Sequence, residues 1–251
     1  MKNKSSKLFV ILGGFFITNA LLAEFLGVKL FSVEATLGFE PLDLTIFGQE
    51  GLGFTMTTGV LLWPFVFILT DVLNEYYGQK GIRLLSFLTA GLISYGFVMI
   101  YMAIKVEPAE FFRTMKAEDG IEDMSVAFNA VYGQGLRIIV GSITAFLIGQ
   151  FVDVFTFRKI RSITGEKKIW LRATGSTLVS QLIDSYVVLF IAFFGLLPTG
   201  YILALGVVNY IYKFVVAIIS TPLIYVAHNL IEKYLGKEQA HKMAEEAQKA
   251  V

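Results

Sequence analysis

The chain has 251 residues, of which 55% are hydrophobic and 16% charged, and its mean hydropathy is +0.67. Soluble domains carry roughly a quarter charged residues, so this composition excludes an ordinary soluble protein. The formal net charge of +1 excludes a basic surface for nucleic acid. The chain has no cysteine, and its two histidines, His228 and His241, both lie near the C-terminal end. We therefore expect no metal, no cofactor and no thiol chemistry.

Six apolar segments are long enough to cross a bilayer, which needs about 20 residues per helix. The first follows three lysines and resembles a signal peptide, but its apolar run is too long and no small-x-small cleavage motif follows, so we interpret it as a retained span. The sequence predicts an all-α polytopic membrane domain over residues 1–231, a bundle of six transmembrane helices, followed by a polar tail over 232–251. The predicted spans cover residues 8–28, 53–74, 83–104, 136–157, 175–196 and 201–227.

The distribution of basic residues predicts the orientation of the bundle. With the N-terminus inside, fifteen Lys and Arg residues, Lys167 among them, fall on the inner side and five on the outer side. We therefore expect both termini in the cytoplasm. The outer loops 29–52 and 105–135 are acidic, and we expect short interfacial helices around Phe111-Phe112 and Val126–Phe128. The tail is expected to be a polar cytoplasmic helix with little bearing on function.

One basic residue, Lys213, lies deep inside a predicted span. Such a placement costs about 2.5–3.5 kcal/mol on insertion scales. Asn209 lies four residues earlier on the same helical face. Asp184 in the fifth span lies at a similar depth, and Gln181 precedes it by three residues on its face. Either an ion pair between two helices or a substrate or proton site accounts for Lys213.

Further acidic and amide residues interrupt the apolar runs of other spans. Gln150 and Asp153 in the fourth span repeat the Gln-x-x-Asp spacing, and Asn19 and Glu24 lie in the first span. Glu24 is near the outer end of its span and could simply pair with Lys29. Structural bundles favour Gly, Ala, Ser and Thr at their interfaces. This polar set therefore predicts a solvated cavity for a planar ligand with both donors and acceptors.

The second span ends in a polar stripe formed by Asp71, Asn74, Glu75 and Gly78. The helix dipole disfavours carboxylates at a helix C-terminus, so two of them require an explanation. One is a cytoplasmic gate or a coupling site. The other is pairing with nearby basic residues, namely Lys80, Arg83 or the loop 158–172.

Three stretches together resemble one family, the queuosine precursor transporters, also called the vitamin uptake transporter family. The resemblance covers roughly residues 60–225. It implies a six-span, multi-pass protein of the bacterial inner membrane that imports 7-deazaguanine bases, such as 7-cyano-7-deazaguanine and its aminomethyl relative. The matching residues are Trp63-Pro64 with Thr70-Asp71-Val72-Leu73-Asn74-Glu75-Tyr76-Tyr77-Gly78, then Gln150, Asp153, Trp170-Leu171-Arg172, Ser176-Thr177, Ser180-Gln181 and Asp184, and finally Asn209 and Tyr212-Lys213.

The resemblance implies roles for the polar residues. A guanine-like edge offers N1–H and an amine to a carboxylate, for which we expect Asp184 or Asp71, and O6 to a donor. Glu75, Asp153 and Gln150 are expected in the same site, and Glu24 and Asn19 as coupling residues. The expected donors to O6 are Lys213, Gln181 and Asn209, and the expected stacking residues are Tyr212 and Tyr186.

The energy source stays open at this point. No Gly-x-x-x-x-Gly-Lys-Ser/Thr loop is present, so the chain itself does not hydrolyse ATP. Proton coupling through Glu24, Asp71, Asp153 or Asp184 is one option. A substrate-binding subunit that borrows an external ATPase is another, and a homo-oligomer is not excluded. An intramembrane aspartyl enzyme using Asp71 and Asp153 is the alternative from a different class, and a channel is disfavoured because no filter-like repeat appears.

Overall fold

The computed structural model describes residues 2–133, 135–165 and 168–249. Lys167 and the last two residues of the predicted tail lie outside this range. Long helices dominate, and short strands occur only between the first two of them in the described part of the chain. In order, the elements are α1 Lys2–Leu26, β1 Leu30–Ser32, α2 Val33–Thr36, β2 Leu44–Ile46, β3 Gln49–Leu52, β4 Thr55–Thr57, α3 Trp63–Lys105, α4 Glu110–Thr114, α5 Met124–Tyr132, α6 Leu136–Thr164, α7 Ile169–Phe193, α8 Thr199–Leu235 and α9 Lys237–Lys249.

Five helical segments of the described residues are long and apolar enough to cross a membrane. The fold is therefore an all-α polytopic membrane protein, as predicted. Six spans were predicted. The two numbers differ because α3 contains both the second and the third predicted span. The five segments are Lys4–Leu26, Trp63–Lys105, Met124–Thr164, Trp170–Phe193 and Thr199–Leu235.

Helix α3 has 43 residues, which corresponds to about 64 Å of helix, twice the thickness of a bilayer core. Its backbone leaves the helical conformation at Gly78, where φ is 69° and ψ is −177°. This conformation is accessible essentially only to glycine. Gly78 therefore divides α3 into a first arm, residues 63–77, and a second arm, residues 79–105.

Contacts with α1 show that the chain reverses direction at Gly78. Just before the first arm, Gly59 packs against the backbone of Ala23. At the end of that arm, the Tyr77 hydroxyl donates to the Ser5 carbonyl at 2.8 Å. The first arm thus runs antiparallel to α1. In the second arm, Gly96 packs against Phe25, so this arm runs parallel to α1.

The predicted second span starts too early. Residues 53–62 are not part of α3, because they contain β4 and a short 3-10 helix, Thr58–Leu61. Strand β4 belongs to a cap of two small antiparallel sheets, β1 with β4 and β2 with β3. Leu52 and Met56 of this cap are each 2% exposed and pack against α8 at Ala204 and Val208. The sequence analysis missed the cap because its strands have only three or four residues each.

A buried acid fixes the interior of this cap. The Glu34 carboxylate accepts hydrogen bonds from the Phe54 N–H at 2.7 Å and from the Ser32 hydroxyl at 2.9 Å. Burial opposes ionisation of Glu34, but these hydrogen bonds outweigh that cost, so its pKa lies below the ordinary value. The cap is thus a defined structure and not a loose loop.

The second outer loop contains the two short helices that the sequence predicted. Helix α4 includes Phe111-Phe112, and α5 includes residues 126–128, so both are confirmed as helices. Asp123 caps α5 by accepting from the Ser125 N–H at 2.7 Å. Arg113 of α4 reaches Asp123 at 3.1 Å, which joins the two helices.

Helices α6, α7 and α8 pack side by side with alternating direction. Glycines allow close contact between α6 and α7. Gly141 of α6 lies against Ile191 near one end, and Gly175 of α7 lies against Ile160 near the other. Between α7 and α8, the ring of Tyr186 fills the space above Gly206. The two outermost of these helices extend beyond the predicted inner ends at residues 157 and 227, since α6 reaches Thr164 and α8 reaches Leu235.

The predicted helix in the tail is confirmed as α9, but the expectation that it has little bearing on function takes no account of its packing. Ala240, Ala244 and Ala247 are 2%, 6% and 8% exposed. Their spacing of four and three residues places them on one face, which packs against the bundle where α1 begins and the first arm of α3 ends. A Cβ atom added at Gly78 would lie 2.9 Å from the Ala247 carbonyl oxygen. The tail therefore covers the point where α3 reverses.

Replacing Gly78 by alanine is expected to loosen α9. The substitution strains the backbone by about 1–3 kcal/mol and also pushes Ala247 away. Gly165 is a matched control, because its φ of 62° and ψ of −143° are similar while an added Cβ atom would meet nothing within 4 Å. Limited proteolysis of α9 in the purified protein measures the effect. Equal protection of α9 in the two alanine variants would contradict the predicted contact.

Candidate functional site

A narrow cavity lies between the first arm of α3 and the middle of α8. Its walls are largely aromatic and aliphatic. The rings of Trp63 and Phe67 are one helical turn apart, with centroids at 5.7 Å and an interplanar angle of 20°. Tyr212 adds a third ring to the lining. The polar groups on the wall include Asp71 on α3, Thr177 on α7 and Lys213 on α8. Flat rings with a few polar groups are typical of a site for a planar heteroaromatic ligand.

Lys213 and Asp184 form an ion pair in the middle of the bundle. The Lys213 ammonium donates to Asp184 Oδ2 at 2.5 Å, and the two side chains are only 16% and 21% exposed. The close approach of Gly149 to Asp184 leaves room for the carboxylate between α6 and α7. The sequence predicted this partner correctly from depth alone. Because Asp184 is held by Lys213 and does not line the cavity, Asp71 is the better candidate for contact with a ligand.

Two buried acids, Asp71 and Asp153, lie near each other beside the cavity. Both residues are 2% exposed. The Thr70 hydroxyl, adjacent to Asp71, donates to Gln150 Oε1 at 3.2 Å, which places α3 against α6 at this point. Ser180 of α7 donates to Asp153 Oδ1 at 3.2 Å. Asp153 therefore contacts α7, but of Asp71, Asp153 and Gln150 only Asp71 reaches the cavity wall.

Glu75 lies one turn further along α3, between two arginines. Its carboxylate contacts Arg172 at 2.8 Å and Arg161 at 3.1 Å, and all three side chains are at most 6% exposed. Arg172 also donates to the Gly165 carbonyl at 3.0 Å, and Arg161 donates to the Ala244 carbonyl of α9 at 3.0 Å. Of the two explanations for the acidic stripe, pairing with the loop 158–172 therefore holds for Glu75.

The other proposed partners of the stripe do not pair with it in this way. The Arg83 guanidinium lies over the ring of Phe151, 5.4 Å from its centroid. Asn74 is 3% exposed, and neither its amide nitrogen nor its amide oxygen has a hydrogen-bond partner among the described residues. It borders a second, wider cavity, which Arg158 and Arg161 of α6 and Gln248 of α9 also line. A buried charged layer centred on Glu75 thus lies between the two cavities.

Besides Asp184, Glu75, Asp153 and Gln150, four more predicted residues lie outside both cavity walls. Glu24 accepts from the Ser142 hydroxyl at 2.6 Å and 2.7 Å, so its partner is α6 and not Lys29. Asn19 donates to the Phe15 carbonyl of its own helix at 2.8 Å, which explains it as a structural residue. Gln181, which is 3% exposed, and Asn209 also lie away from the lining.

Tyr186, a predicted stacking residue, packs over Gly206 in the α7–α8 interface and not on the cavity wall. The stacking surface instead includes Trp63 and Phe67, to which the sequence analysis gave no role. Their spacing of four residues, directly before the acidic stripe, was the available signal. Arg161 and Arg172 were not predicted individually as site residues, although both lie in the stretch 158–172 that was one expected partner of the acidic stripe.

A bundle of long apolar helices that encloses two cavities separated by a charged layer defines a membrane transport protein. The model of a family described as "putative vitamin uptake transporter" matches residues 57–227, and the chain belongs to this family. It is a transporter, and the alternative of an intramembrane enzyme is wrong because the family and the named relatives are transporters.

Curated relatives carry a more specific name. The chain is 35% identical over 185 residues to the "probable queuosine precursor transporter" of Bacillus subtilis (strain 168), covering 72% of this chain and 76% of the relative. It is 28% identical over 193 residues to the "queuosine precursor transporter" of Escherichia coli (strain K12), covering 74% and 78%. A "probable queuosine precursor transporter" of Haemophilus influenzae is 27% identical over 185 residues, 71% of each chain. No solved structure matches.

Proposed function

We propose that this protein imports queuosine precursors, the 7-deazaguanine bases 7-cyano-7-deazaguanine and 7-aminomethyl-7-deazaguanine, across the bacterial inner membrane. The observation that carries the proposal is the cavity, where Asp71 and Lys213 lie on a wall formed by Trp63, Phe67 and Tyr212. A 7-deazaguanine is flat, with N–H donors on one edge and a carbonyl oxygen beside them. The names of the curated relatives support the same substrate class.

Each cavity residue has a chemical role in this proposal. The ionised Asp71 accepts two parallel hydrogen bonds from N1–H and the exocyclic amine. Lys213 keeps one donor on Asp184 and directs another to O6, since an ammonium group has three donors. Trp63 and Phe67 pack against the ring faces. An adenine-like base lacks the N1–H donor with an amine beside it, so it cannot make the two-point contact with Asp71, and the site selects guanine-like bases.

The transmembrane arrangement is part of the proposal. The two arms of α3 cross the membrane separately, because their contacts with α1 have opposite directions, and this gives six crossings with α1, α6, α7 and α8. The excess of Lys and Arg places both termini in the cytoplasm. The cavity that Arg158 and Gln248 line then opens toward the cytoplasm.

We propose a cation gradient as the energy source, and proton coupling is one option that the sequence raised. Membrane-buried carboxylates such as Asp71 and Asp153 are typical of proton pathways. The competing proposal, a substrate-binding subunit that works with a separate ATPase, predicts that an ATPase is purified together with this chain from native membranes. A homo-oligomer is compatible with either proposal.

Queuosine in tRNA tests the substrate. In bacteria that neither synthesise nor import precursors, expression of the wild-type protein is expected to restore queuosine when the cells are fed a nanomolar amount of precursor. Queuosine is measured by mass spectrometry. Asp71→Asn is expected to reduce the restored queuosine by roughly 100-fold, because the amide cannot accept both N–H groups. Asp119→Asn is the control, since Asp119 lies in an outer loop and its side chain is 60% exposed. Absence of queuosine with wild-type protein in the membrane would exclude this substrate class.

A further inference from the structure

The carboxylate of Asp153 is buried directly behind the cavity wall. Ser180 donates to its Oδ1 atom at 3.2 Å, and the hydroxyls of Ser176 and Thr177 also interact with it. Its Oδ2 atom has no hydrogen-bond partner among the described residues, and the same holds for Oδ1 of the neighbouring Asp71. Buried polar atoms without partners are rare in folded proteins. Two of them on adjacent acids indicate a site for a ligand that the protein alone does not satisfy.

The cations around this pair are each bound to another acid. Besides Asp153, the charged groups that act on Asp71 are Glu75 on α3 and Arg172 on α7. Arg161 on α6 adjoins them through its contact with Glu75. Both arginines contact Glu75, at 3.1 Å and 2.8 Å. Lys213, which shares the cavity wall with Asp71, is held by Asp184 at 2.5 Å. The described residues thus give neither Asp71 nor Asp153 a salt bridge, and two adjacent negative charges in a buried site repel each other strongly.

We infer that Asp153, with the hydroxyls around it, binds the monovalent cation that drives import, a proton or a sodium ion. The inference rests on the proposed function, because Asp71 is the residue that links the cation to the substrate. A cation on Asp153 removes the repulsion that opposes an ionised Asp71, and ionised Asp71 accepts the N–H groups of the base. The cation and the base therefore increase each other's affinity.

This linkage produces coupled transport. The cation binds Asp153 while the site is open to the outside, and the base then binds Asp71. When the charged layer around Glu75 opens, both leave through the second cavity, where the unpartnered amide of Asn74 provides a first polar contact. The proton, where the cation is a proton, passes from the Asp153 carboxyl group to cytoplasmic water.

Asp153→Asn in proteoliposomes tests the coupling role. Asparagine carries no charge and retains an acceptor for Ser180, so it imitates the site with its charge neutralised. We expect exchange of labelled for unlabelled 7-deazaguanine base to stay within about threefold of wild type, while accumulation driven by a pH or sodium gradient falls to about equal concentrations on both sides. Asp71→Asn is expected to lose both activities. Gradient-driven accumulation by Asp153→Asn at the wild-type level would overturn the inference, and so would loss of exchange by folded protein.

A measurement without substrate separates this inference from the proposed function. For a proton, infrared spectra of the purified wild-type protein are expected to contain a protonated carboxyl band that titrates with pH and is absent from Asp153→Asn. For sodium, thermal stability is expected to rise with NaCl relative to choline chloride in wild type but not in the variant. If the wild-type protein gives neither signal, the proposed cation site is overturned even if transport is intact. Either signal in a protein that moves no 7-deazaguanine would retain the cation site and reject the substrate.

Discussion

Glu75→Ala is expected to reduce the amount of folded protein in the membrane more than any other single substitution in the bundle. Glu75 is the shared partner of Arg161 and Arg172, and the three side chains are at most 6% exposed. Without the carboxylate, two buried guanidinium groups face each other without their anion. Removing one partner of a buried ion pair costs about 3–5 kcal/mol, and here two pairs share that partner. Since folded proteins are stable by only about 5–15 kcal/mol, most of the margin is lost.

Thermal unfolding in detergent, monitored by size-exclusion chromatography, measures this loss. Glu75→Gln separates charge from volume, because glutamine keeps the shape but not the negative charge, and we expect it to be nearly as damaging as alanine. Asp119→Ala is the matched control, since its pair with Lys116 is exposed to 60% and 51% and such pairs are worth about 0–1 kcal/mol. A wild-type unfolding temperature for Glu75→Ala would rule out a structural role for the cluster.

Lys213→Ala is expected to have the second largest effect, on transport. The substitution removes a donor from the cavity wall and leaves the Asp184 carboxylate, 21% exposed, without its cation. We expect import to fall by roughly 100-fold and stability to fall by about 3 kcal/mol. Uptake of labelled precursor into cells and thermal unfolding of the purified protein measure the two effects.

The double variant Lys213→Ala with Asp184→Asn separates the two effects. It removes both charges, so the unpaired carboxylate is gone and much of the lost stability is expected to return. Import is expected to stay low, because the donor on the cavity wall is still missing. If the double variant regained import together with stability, Lys213 would be a structural residue only, and the cavity would not be the substrate site.

The sequence predicted the features that depend on composition and depth. Long apolar runs specify membrane helices, and the pair of Lys213 and Asp184 follows because charges in apolar runs need partners at the same depth. The contact of Glu75 with the basic loop followed from the same argument. These inferences need no knowledge of which helices are neighbours beyond their alternating direction.

The features that the sequence did not reveal depend on contacts between distant segments. Pairing with Lys29 was one explanation for Glu24, but α1 packs where Ser142 of α6 is within hydrogen-bond distance. The choice between Asp71 and Asp184 as the ligand contact depended on which acid lines the cavity, and neighbouring side chains decide this. The β-strands of the outer cap were missed because segments of three or four residues carry too little periodicity. The sequence predicted separate second and third spans, but it did not show that a single break at Gly78 joins them within one helix.

Arg161 binds α9 through the carbonyl oxygen of Ala244 and not through a side chain. Every residue type offers that carbonyl, so the hydrogen bond places no demand on which amino acid occupies position 244. The packing of Ala240, Ala244 and Ala247 demands only that the face stays narrow. The tail of a relative can therefore diverge widely in sequence and still dock in the same way, provided that small residues recur at this spacing. Since the family match ends at residue 227, this size rule, and not sequence identity, is how equivalent tails should be sought.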